Sequence, residues 1–320
     1  MEGGSVGLRD RPAWRNQAHR GGNPIRQLSI PVADSRGGFP GPGRGAEVDW
    51  GMATRVLTKL ASAAITLGLV LLGGGPAAAA PPRTSEPVGI DVSWPQCGKT
   101  LPKKPAFAVV GVNNGLANTT NPCLSAQLAW ANTAPDPALT PQPRVALYVN
   151  TANPGRQGSW WPSSNHYGGA DVPNPYGVCS SAPDSFRACS YMYGYAKAYD
   201  DAMIRGVANP QDYLWWLDVE TENSWQPDKA ANVAVLEGMA AYFKGINADV
   251  GLYSTGYQWG QIAGTVPASS PLAGLPSWLA GARSLTGAKS NCSLPALTPG
   301  SKVAMTQYVS GGLDYNYSCP

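Results

Sequence analysis

The sequence predicts an α/β fold, a TIM-like (β/α) barrel formed by a single domain over residues 86–320. Three observations support this prediction: short apolar runs alternate with helical patterns, several of these runs end in polar residues, and no internal repeat divides the chain. Strands that alternate with helices are typical of a mainly parallel sheet. Polar residues that follow barrel strands collect at one end, where such barrels build their active sites.

The central stretch of the chain is residues 213–220. Its apolar run, Tyr-Leu-Trp-Trp-Leu, ends in two acids, Asp218 and Glu220, separated by one valine. Such a run is typical of a strand that is buried on both faces. Side chains at positions i and i+2 of a strand point to the same side, so the two carboxylates would lie together. Paired carboxylates push their pKa values apart, as glycosidic bond cleavage requires. Alternatively, these acids cap a helix or pair with basic residues.

The other elements are predicted from the same kinds of pattern. Further apolar runs indicate strands at 88–93, 106–113, 144–150, 250–255, 276–280 and 303–309. Helical spacing of apolar residues indicates helices near 123–132, at 190–207 and at 229–246, the last with Asp228 as its N-cap. The segment from about 152 to 188 is long and rich in Pro, Gly and Ser, but its tryptophans and cysteines argue against disorder.

The first 80 residues are expected to lie outside the barrel. Residues 1–51 are rich in Gly, Arg and Pro, which indicates a disordered or non-native extension before a true start at Met52. Residues 52–80 combine a basic start, a short apolar core and a run of alanines, the pattern of a secretory signal peptide. An uncleaved anchor is the alternative. We expect a secreted, extracellular or cell-wall-associated protein with no stable membrane insertion after cleavage.

Composition excludes several functional classes. Residues 1–80 carry 9 Lys/Arg and 5 Asp/Glu, which leaves 14 basic and 15 acidic residues of the chain's 23 and 20. The remainder is nearly neutral, so nucleic acid is not an expected partner. His166 is the single histidine after residue 80, which excludes a histidine-rich metal site, and its Gly- and Asn-rich surroundings predict a surface loop. We expect no metal and no cofactor.

All six cysteines follow the predicted leader: Cys97, Cys123, Cys179, Cys189, Cys292 and Cys319. An even number in an exported chain favours disulfides, although six cysteines permit fifteen pairings. Proximity along the chain alone suggests that they pair in the order in which they occur, as 97–123, 179–189 and 292–319.

The strand-end motifs together resemble glycoside hydrolase family 25, whose members are secreted or phage-borne muramidases with an irregular TIM-like (β/α) barrel. Gly89-Ile-Asp-Val-Ser93 with Gln96 resembles the N-terminal signature of that family, and Leu217-Asp-Val-Glu220 resembles its central motif. Later stretches are similar to its remaining strands: Gly251-Leu-Tyr-Ser-Thr255, Trp278-Leu-Ala280, Gln307-Tyr308 and Asp314-Tyr-Asn316. The resemblance covers most of residues 88–317, in order, although each motif is short.

The resemblance implies a role for each acid. Glu220 would be the general acid and Asp218 its carboxylate partner, while Asp91 and Asp314 would complete an acidic floor. The residues expected to contact substrate are Tyr148, Asn113, Tyr253, Trp259, Gln307 and Asn316. Trp259, Trp160 and Trp161 are the candidates for stacking on sugar rings, whereas most other tryptophans are expected in the core.

The chain also departs from the family pattern. Its second strand ends in Gly111-Val-Asn113-Asn-Gly115 without the charged residues of the family, and Tyr148-Val-Asn150 lacks the histidine of the third strand. Thr306 replaces a tryptophan, and the segment 152–188 and the cysteines are additional. These changes concern substrate contacts more than the acids, so the reaction class is kept and the exact glycan stays open.

The sequence therefore favours a secreted glycoside hydrolase that cleaves cell-wall glycan, of the N-acetylmuramidase type on peptidoglycan. Glu220 would protonate the departing glycosidic oxygen. Its pKa would be raised by Asp218 and Asp91 and by partial burial behind Trp215 or Trp216. Inversion, a covalent intermediate and help from the substrate's N-acetyl group all stay open. The alternatives are a non-catalytic glycan-binding protein on a degenerated hydrolase fold and a structural protein stabilised by disulfides. A monomer is expected, with the oligomeric state left open.

Overall fold

The computed structural model describes residues 87–135 and 139–320. The predicted extension (1–51) and signal peptide (52–80) lie outside the described residues. The strands are Val88–Val92 (β1), Ala108–Gly111 (β2), Val145–Asn150 (β3), His166–Tyr167 (β4), Ala170–Asp171 (β5), Leu214–Asp218 (β6), Asp249–Ser254 (β7), Ser277–Ala282 (β8), Val303–Ser310 (β9) and Leu313–Ser318 (β10). The helices are Leu124–Ala131 (α1), Phe186–Met203 (α2), Lys229–Gly245 (α3), Gly256–Ile262 (α4) and Leu285–Asn291 (α5).

Eight of these strands close into a barrel in the order β1-β10-β9-β8-β7-β6-β3-β2. All neighbouring strands pair in parallel except β10, which is antiparallel to both β1 and β9. The predicted α/β barrel is therefore confirmed. Its helical layer is uneven, because α2 and α3 have 18 and 17 residues whereas α4 and α5 have seven each.

A two-residue turn determines the direction and position of β10, the strand that closes the barrel. Gly311 and Gly312 both have positive φ, 59° and 75°, and join β9 to β10. Glycine is favoured here because both central residues of such a turn occupy the left-handed region. A turn this short can join only antiparallel strands, since parallel neighbours need a long crossover. The turn thus returns the chain between β9 and β1, where Asp314 pairs with Asp91.

Alternation along the strands separates two apolar layers. One cluster fills the barrel and includes Phe107, Trp216, Tyr253, Trp278 and Met305. The other joins the outer strand faces to the helices. Inner glycines leave room for the large rings: a Cβ on Gly251 would lie 2.3 Å from the ring of Trp216.

The additional segment 152–188 folds over α2. It contains the small β4–β5 hairpin. His166 lies on the surface as predicted, although in strand β4 rather than in a loop, with its Nδ1 2.9 Å from Asp171 Oδ1.

The three disulfides pair as predicted, and each ties a loop or chain end to a helix. They are Cys97–Cys123, Cys179–Cys189 and Cys292–Cys319. The last joins the end of α5 to the residue that follows β10. None of the helices within residues 87–135 and 139–320 has the length and apolar character needed to cross a membrane.

Candidate active site

A cavity of about 150 Å³ lies where the barrel strands end. It is lined by Asp91, Tyr148, Asp218, Glu220, Tyr253, Trp278, Gln307 and Asp314. Asp218 is the last residue of β6, and Asp91 and Asp314 come from the paired strands β1 and β10. The structure therefore brings all four predicted acids into one cavity.

The two tryptophans of β6 lie on opposite sides of the strand. Trp215 points outward and packs on the helical layer, while Trp216 points into the barrel, with its ring 5.7 Å from that of Trp278. Neither lines the cavity. The aromatic walls beside Glu220 are Trp278 and Tyr253 instead, so the predicted shielding by Trp215 or Trp216 is wrong.

Asp91 lies deep in the cavity and is held by two amides. Its Oδ1 accepts hydrogen bonds from Asn316 Nδ2 at 2.7 Å and from Gln307 Nε2 at 3.1 Å. Gln307 Oε1 in turn accepts from the Tyr253 hydroxyl at 2.9 Å. Burial raises the pKa of Asp91 to about 8, with a further contribution from the charge of Asp314. Asp91 therefore holds its proton at neutral pH.

Asp218 is equally deep and is held by Asn150, whose Nδ2 donates to Asp218 Oδ2 at 2.8 Å. Burial raises the pKa of Asp218 well above its usual range, the charges of Glu220 and Asp91 add to this effect, and the bond from Asn150 opposes it. The Asn150 N–H donates to Asn113 Oδ1 at 2.8 Å. Asn113 is buried and does not line the cavity, so the predicted substrate contact is wrong: Asn113 positions Asn150.

Glu220 and Asp314 are half-buried at the rim. Burial raises the pKa of both, and the carboxylate of Glu222 raises that of Glu220 further. The predicted repulsion between Glu220 and Asp218 is present and raises the pKa of Asp218, while a hydrogen bond between the two carboxyl groups opposes the rise at Glu220. The charge of Asp91 acts on the pKa of Asp218. A rim carboxyl with a raised pKa is a proton donor that a substrate can reach.

The remaining predicted contact residues divide into two groups. Tyr148, Tyr253 and Gln307 line the cavity. Asn316 is fully buried beneath Asp91, so it orients that acid instead of reaching a substrate. Trp259 is 4% exposed within the layer between barrel and helices, so its ring faces are covered and the prediction of a sugar contact is wrong.

Two residues of the site were missed from the sequence. Trp278 forms a wall of the cavity, and Asn150 holds Asp218. A signal for Asn150 was available, since it ends a strand whose register places it beside Asp218 on β6. Trp278 is likewise in register with Tyr253 on the neighbouring strand.

This arrangement favours proton-transfer chemistry. Two deep acids and two rim acids share one small cavity, and burial raises the pKa of all four. The raised pKa values favour the protonated form of these carboxyl groups, and the two at the rim lie where a bound substrate could reach them. Within residues 87–135 and 139–320, no group of three or more His, Cys, Asp or Glu side chains is arranged to hold a metal ion.

Part of the chain is similar to known lysozyme-like proteins. Residues 203–283 match a family model described as "Lysozyme-like protein 1". This range contains Asp218, Glu220, Tyr253 and Trp278 of the cavity. A relative described as "Probable GH family 25 lysozyme 4" from Dictyostelium discoideum is 33% identical over 97 residues. That match spans 30% of this chain and 42% of the relative, so the chain covers less than half of it. The resemblance to glycoside hydrolase family 25 is confirmed, with low identity typical of a divergent chain.

Solved structures are also similar to this chain. A muramidase from Trichobolus zukalii is 16% identical; the match covers 73% of this chain and 93% of the muramidase, with a TM-score of 0.43. A family GH25 lysozyme from Aspergillus fumigatus is 14% identical; the match covers 73% of this chain and 94% of the lysozyme, with a TM-score of 0.43. A bacterial lysozyme from Streptomyces coelicolor is 18% identical; the match covers 73% of this chain and 93% of that lysozyme, with a TM-score of 0.41.

Proposed function

We propose that this chain is a secreted glycoside hydrolase that cleaves cell-wall glycan, with peptidoglycan as its substrate and Glu220 as its general acid. The observation that supports the proposal most is the set of four carboxyl groups in one cavity at the barrel mouth. The matched lysozyme relative supports the same reaction class. The three disulfides support an exported protein.

Glu220 is the proton donor in this proposal. It lies at the rim, where a glycosidic oxygen can approach, and burial raises its pKa. A protonated Glu220 gives its proton to the departing oxygen while the bond to the anomeric carbon breaks. A water oxygen then bonds to the anomeric carbon and the water gives up a proton, which restores the protonated Glu220. General acid catalysis of this kind contributes roughly 10²–10⁴-fold to the rate.

The two deep aspartates have different roles in the proposal. Asp91 keeps its proton at neutral pH and lies on the floor of the cavity as a neutral hydrogen-bonding group. Asp218 acts as the carboxylate partner in its ionised form, which the hydrogen bond from Asn150 Nδ2 favours and which burial and the charge of Glu220 oppose. A carboxylate at this position stabilises the positive charge that develops on the sugar ring in the transition state.

Glycan binding without turnover is the alternative function. The lost charges at the end of β2 and the missing histidine on β3 motivate it. The four acids argue against it, because two of them are buried in one cavity at an unfavourable cost in desolvation that glycan binding alone does not require.

The test compares three forms of the oxidised protein on purified peptidoglycan. Wild type should release soluble reducing ends, and Glu220→Gln should lose at least about 100-fold in rate while keeping its melting temperature. Glu222→Gln is the matched control, an exposed acid two residues along the chain. Its rate should stay within about threefold of wild type, since the Glu222 charge only adjusts the pKa of Glu220.

Co-sedimentation with peptidoglycan separates the two functions. If neither wild type nor Glu220→Gln releases reducing ends and both pellet with the wall, the protein is a binding protein. If Glu220→Gln is as active as wild type, Glu220 is not the acid and the proposal fails.

A further inference from the structure

A second cavity, of about 190 Å³, lies at the same end of the barrel as the four acids. Its walls come from the loops that follow β2, β3 and β6 and from α2. The side chains that matter for binding are Asn118, Ser159, Trp160, Tyr193, Lys197 and Asn223. Because loops that follow parallel barrel strands emerge at one face, this cavity and the acids open on the same surface.

A short backbone turn connects the second cavity to Glu220. The N–H of Asn223 donates to the Glu220 carbonyl at 3.3 Å, and the indole N–H of Trp225 donates to the same oxygen at 2.7 Å. Across the cavity floor, the N–H of Asn153 donates to the Ser224 carbonyl at 2.8 Å. The wall of the second cavity therefore begins one turn from the proposed general acid, within reach of a polymer bound there.

Trp160 is the exposed aromatic of this cavity, with 39% of its surface accessible. Its ring lies 5.5 Å from that of Tyr167 and 6.0 Å from that of Tyr193. Lys197 Nζ sits 5.0 Å from the Trp160 ring centre. A ring held by this many neighbours loses little conformational entropy when a ligand covers it, which favours binding.

Trp161 has a different role from Trp160. Its ring stacks on Phe186 at 5.3 Å and on Tyr193 at 5.5 Å, both on α2 or at its start. Trp161 therefore anchors the additional segment, and Trp160 is left to face the cavity. Of the tryptophans proposed from the sequence as sugar platforms, Trp160 alone has an accessible ring in a cavity beside the acids.

The charge of the second cavity favours a neutral ligand. Lys197 lines it, but its Nζ lies 2.8 Å from Asp200 Oδ2. Asp200 also accepts a hydrogen bond from the Tyr167 hydroxyl at 2.7 Å. The charge of Lys197 is therefore balanced by Asp200. The surface offered to a ligand consists of the accessible part of the Trp160 ring, over which Lys197 Nζ also lies, with amides and hydroxyls around it. An apolar face combined with polar edges is the chemistry of a pyranose ring.

We propose that this second cavity is a subsite that binds one sugar unit of a glycan strand whose cleaved bond lies at Glu220. Trp160 covers the apolar face of the sugar, and Asn118, Ser159 and Asn223 hydrogen-bond its hydroxyl or acetamido groups. The inference rests on the proposed function, because it places a second part of the same polymer. It assigns a role to the additional segment 152–188, which supplies Trp160.

The test measures binding without turnover, in the Glu220→Gln background. The ligands are long peptide-free peptidoglycan glycan strands and a single disaccharide, which we expect to bind in the four-acid cavity alone. Trp160→Ala should raise the Kd for long strands about tenfold and leave that for the disaccharide unchanged. Trp160→Phe, which keeps a ring, should raise the Kd for long strands less. Asn118→Ala, at an exposed lining position in the loop that follows β2, should raise the Kd for long strands about threefold.

Tyr257→Ala is the matched control, because Tyr257 is 75% exposed at the same end of the barrel but lines neither cavity. It should leave both Kd values unchanged. The inference fails if folded Trp160→Ala binds long strands with the same Kd as the parent, or if no long strand binds the parent. It also fails if Trp160→Ala raises the Kd for the disaccharide as much as it raises the Kd for long strands. Trp160-dependent binding of long strands by a wild type that releases no reducing ends would overturn the hydrolase proposal and keep the subsite.

Discussion

Asp91 shows how burial links the site to stability. In the folded protein it holds its proton up to about pH 8, whereas in the unfolded chain its pKa returns to the ordinary value of 3.8. Between these pH values the unfolded state binds fewer protons, so rising pH favours unfolding. For one such group the loss approaches about 1.4 kcal/mol per pH unit. The acids that the reaction needs are therefore expected to destabilise the fold near neutral pH.

Asp91→Asn should remove this dependence, because an asparagine is neutral at every pH and can still accept from Asn316 and Gln307. We expect the free energy of unfolding of the variant to exceed that of wild type by up to about 5 kcal/mol near pH 8 and to converge with it below about pH 4. Chemical denaturation across this range measures the difference. Asp184→Asn, at an exposed position, serves as the control. A difference that does not vary with pH would contradict the assignment.

Asn150→Ala tests how Asp218 is held. Loss of the 2.8 Å bond from Asn150 Nδ2 should raise the pKa of Asp218 further, since that bond favours the charged carboxylate. The acid limb of the pH–rate profile should then move to higher pH, and kcat/KM at neutral pH should fall about 10–100-fold. Asn132→Ala, at an exposed position after α1, is the control. A lower rate with an unmoved acid limb would indicate a structural role alone.

Asp91, Asp218 and Glu220 could be predicted from the sequence because they lie at or just after the end of an apolar run, where alternation fixes the direction of the side chain. Asp314 lies near the start of the mostly polar β10 and was recognised by resemblance. Asn113 and Trp259 were assigned wrongly for the opposite reason. Asn113 follows β2, where the strand rule no longer fixes its direction, and it turns away to hold Asn150. Trp259 lies on α4, whose core-facing side is decided by packing against α3 and the barrel rather than by local sequence.

Helices α2 and α3 meet through two glycines. A Cβ on Gly194 would lie 1.9 Å from the Val235 carbonyl oxygen, and a Cβ on Gly238 would lie 2.0 Å from that of Tyr191. Backbone atoms cannot yield as a flexible side chain can, so the helices would have to separate. The sequence predicts both helices from apolar spacing, but this closeness follows from their mutual packing and could not be predicted from either helix alone.

Gly194→Ala and Gly238→Ala should each lower the free energy of unfolding by about 1–3 kcal/mol or more, because the added methyl overpacks the interface. Gly245→Ala is the matched control on α3, where an added Cβ would meet nothing within 4 Å. It should be neutral or stabilise by up to about 1 kcal/mol through helix propensity. Urea denaturation measures all three, and equal effects at the three glycines would contradict the close packing.

Strand β10 is an element that the sequence pattern did not predict as a strand. The alternation of strands and helices correctly indicated a mainly parallel barrel. Residues 313–316 were recognised by resemblance and not as a strand, because their run is short and mostly polar. The Gly311–Gly312 turn and the open edges of β9 and β1 decide their structure.

Strand β10 closes the barrel between β9 and β1, so we expect the disulfide that holds it to affect the stability of the whole barrel. Cys292–Cys319 spans 27 residues and ties β10, which carries Asp314, to α5. Replacing both cysteines with serine should lower the free energy of unfolding by about 3 kcal/mol. The pair Cys179–Cys189 spans 10 residues outside the barrel, so its double replacement should have a smaller effect. Equal losses from the two double variants would show that barrel closure does not depend on the terminal bond.

The central claim is that the four-acid cavity hydrolyses peptidoglycan through Glu220. Mass spectrometry of the products of digestion in H₂¹⁸O tests it most directly. We predict that wild type releases fragments with a single ¹⁸O at a new reducing-end N-acetylmuramic acid, and that Glu220→Gln releases none. Fragments without ¹⁸O, fragments that end in a different sugar, or the same labelled products from Glu220→Gln would contradict the claim.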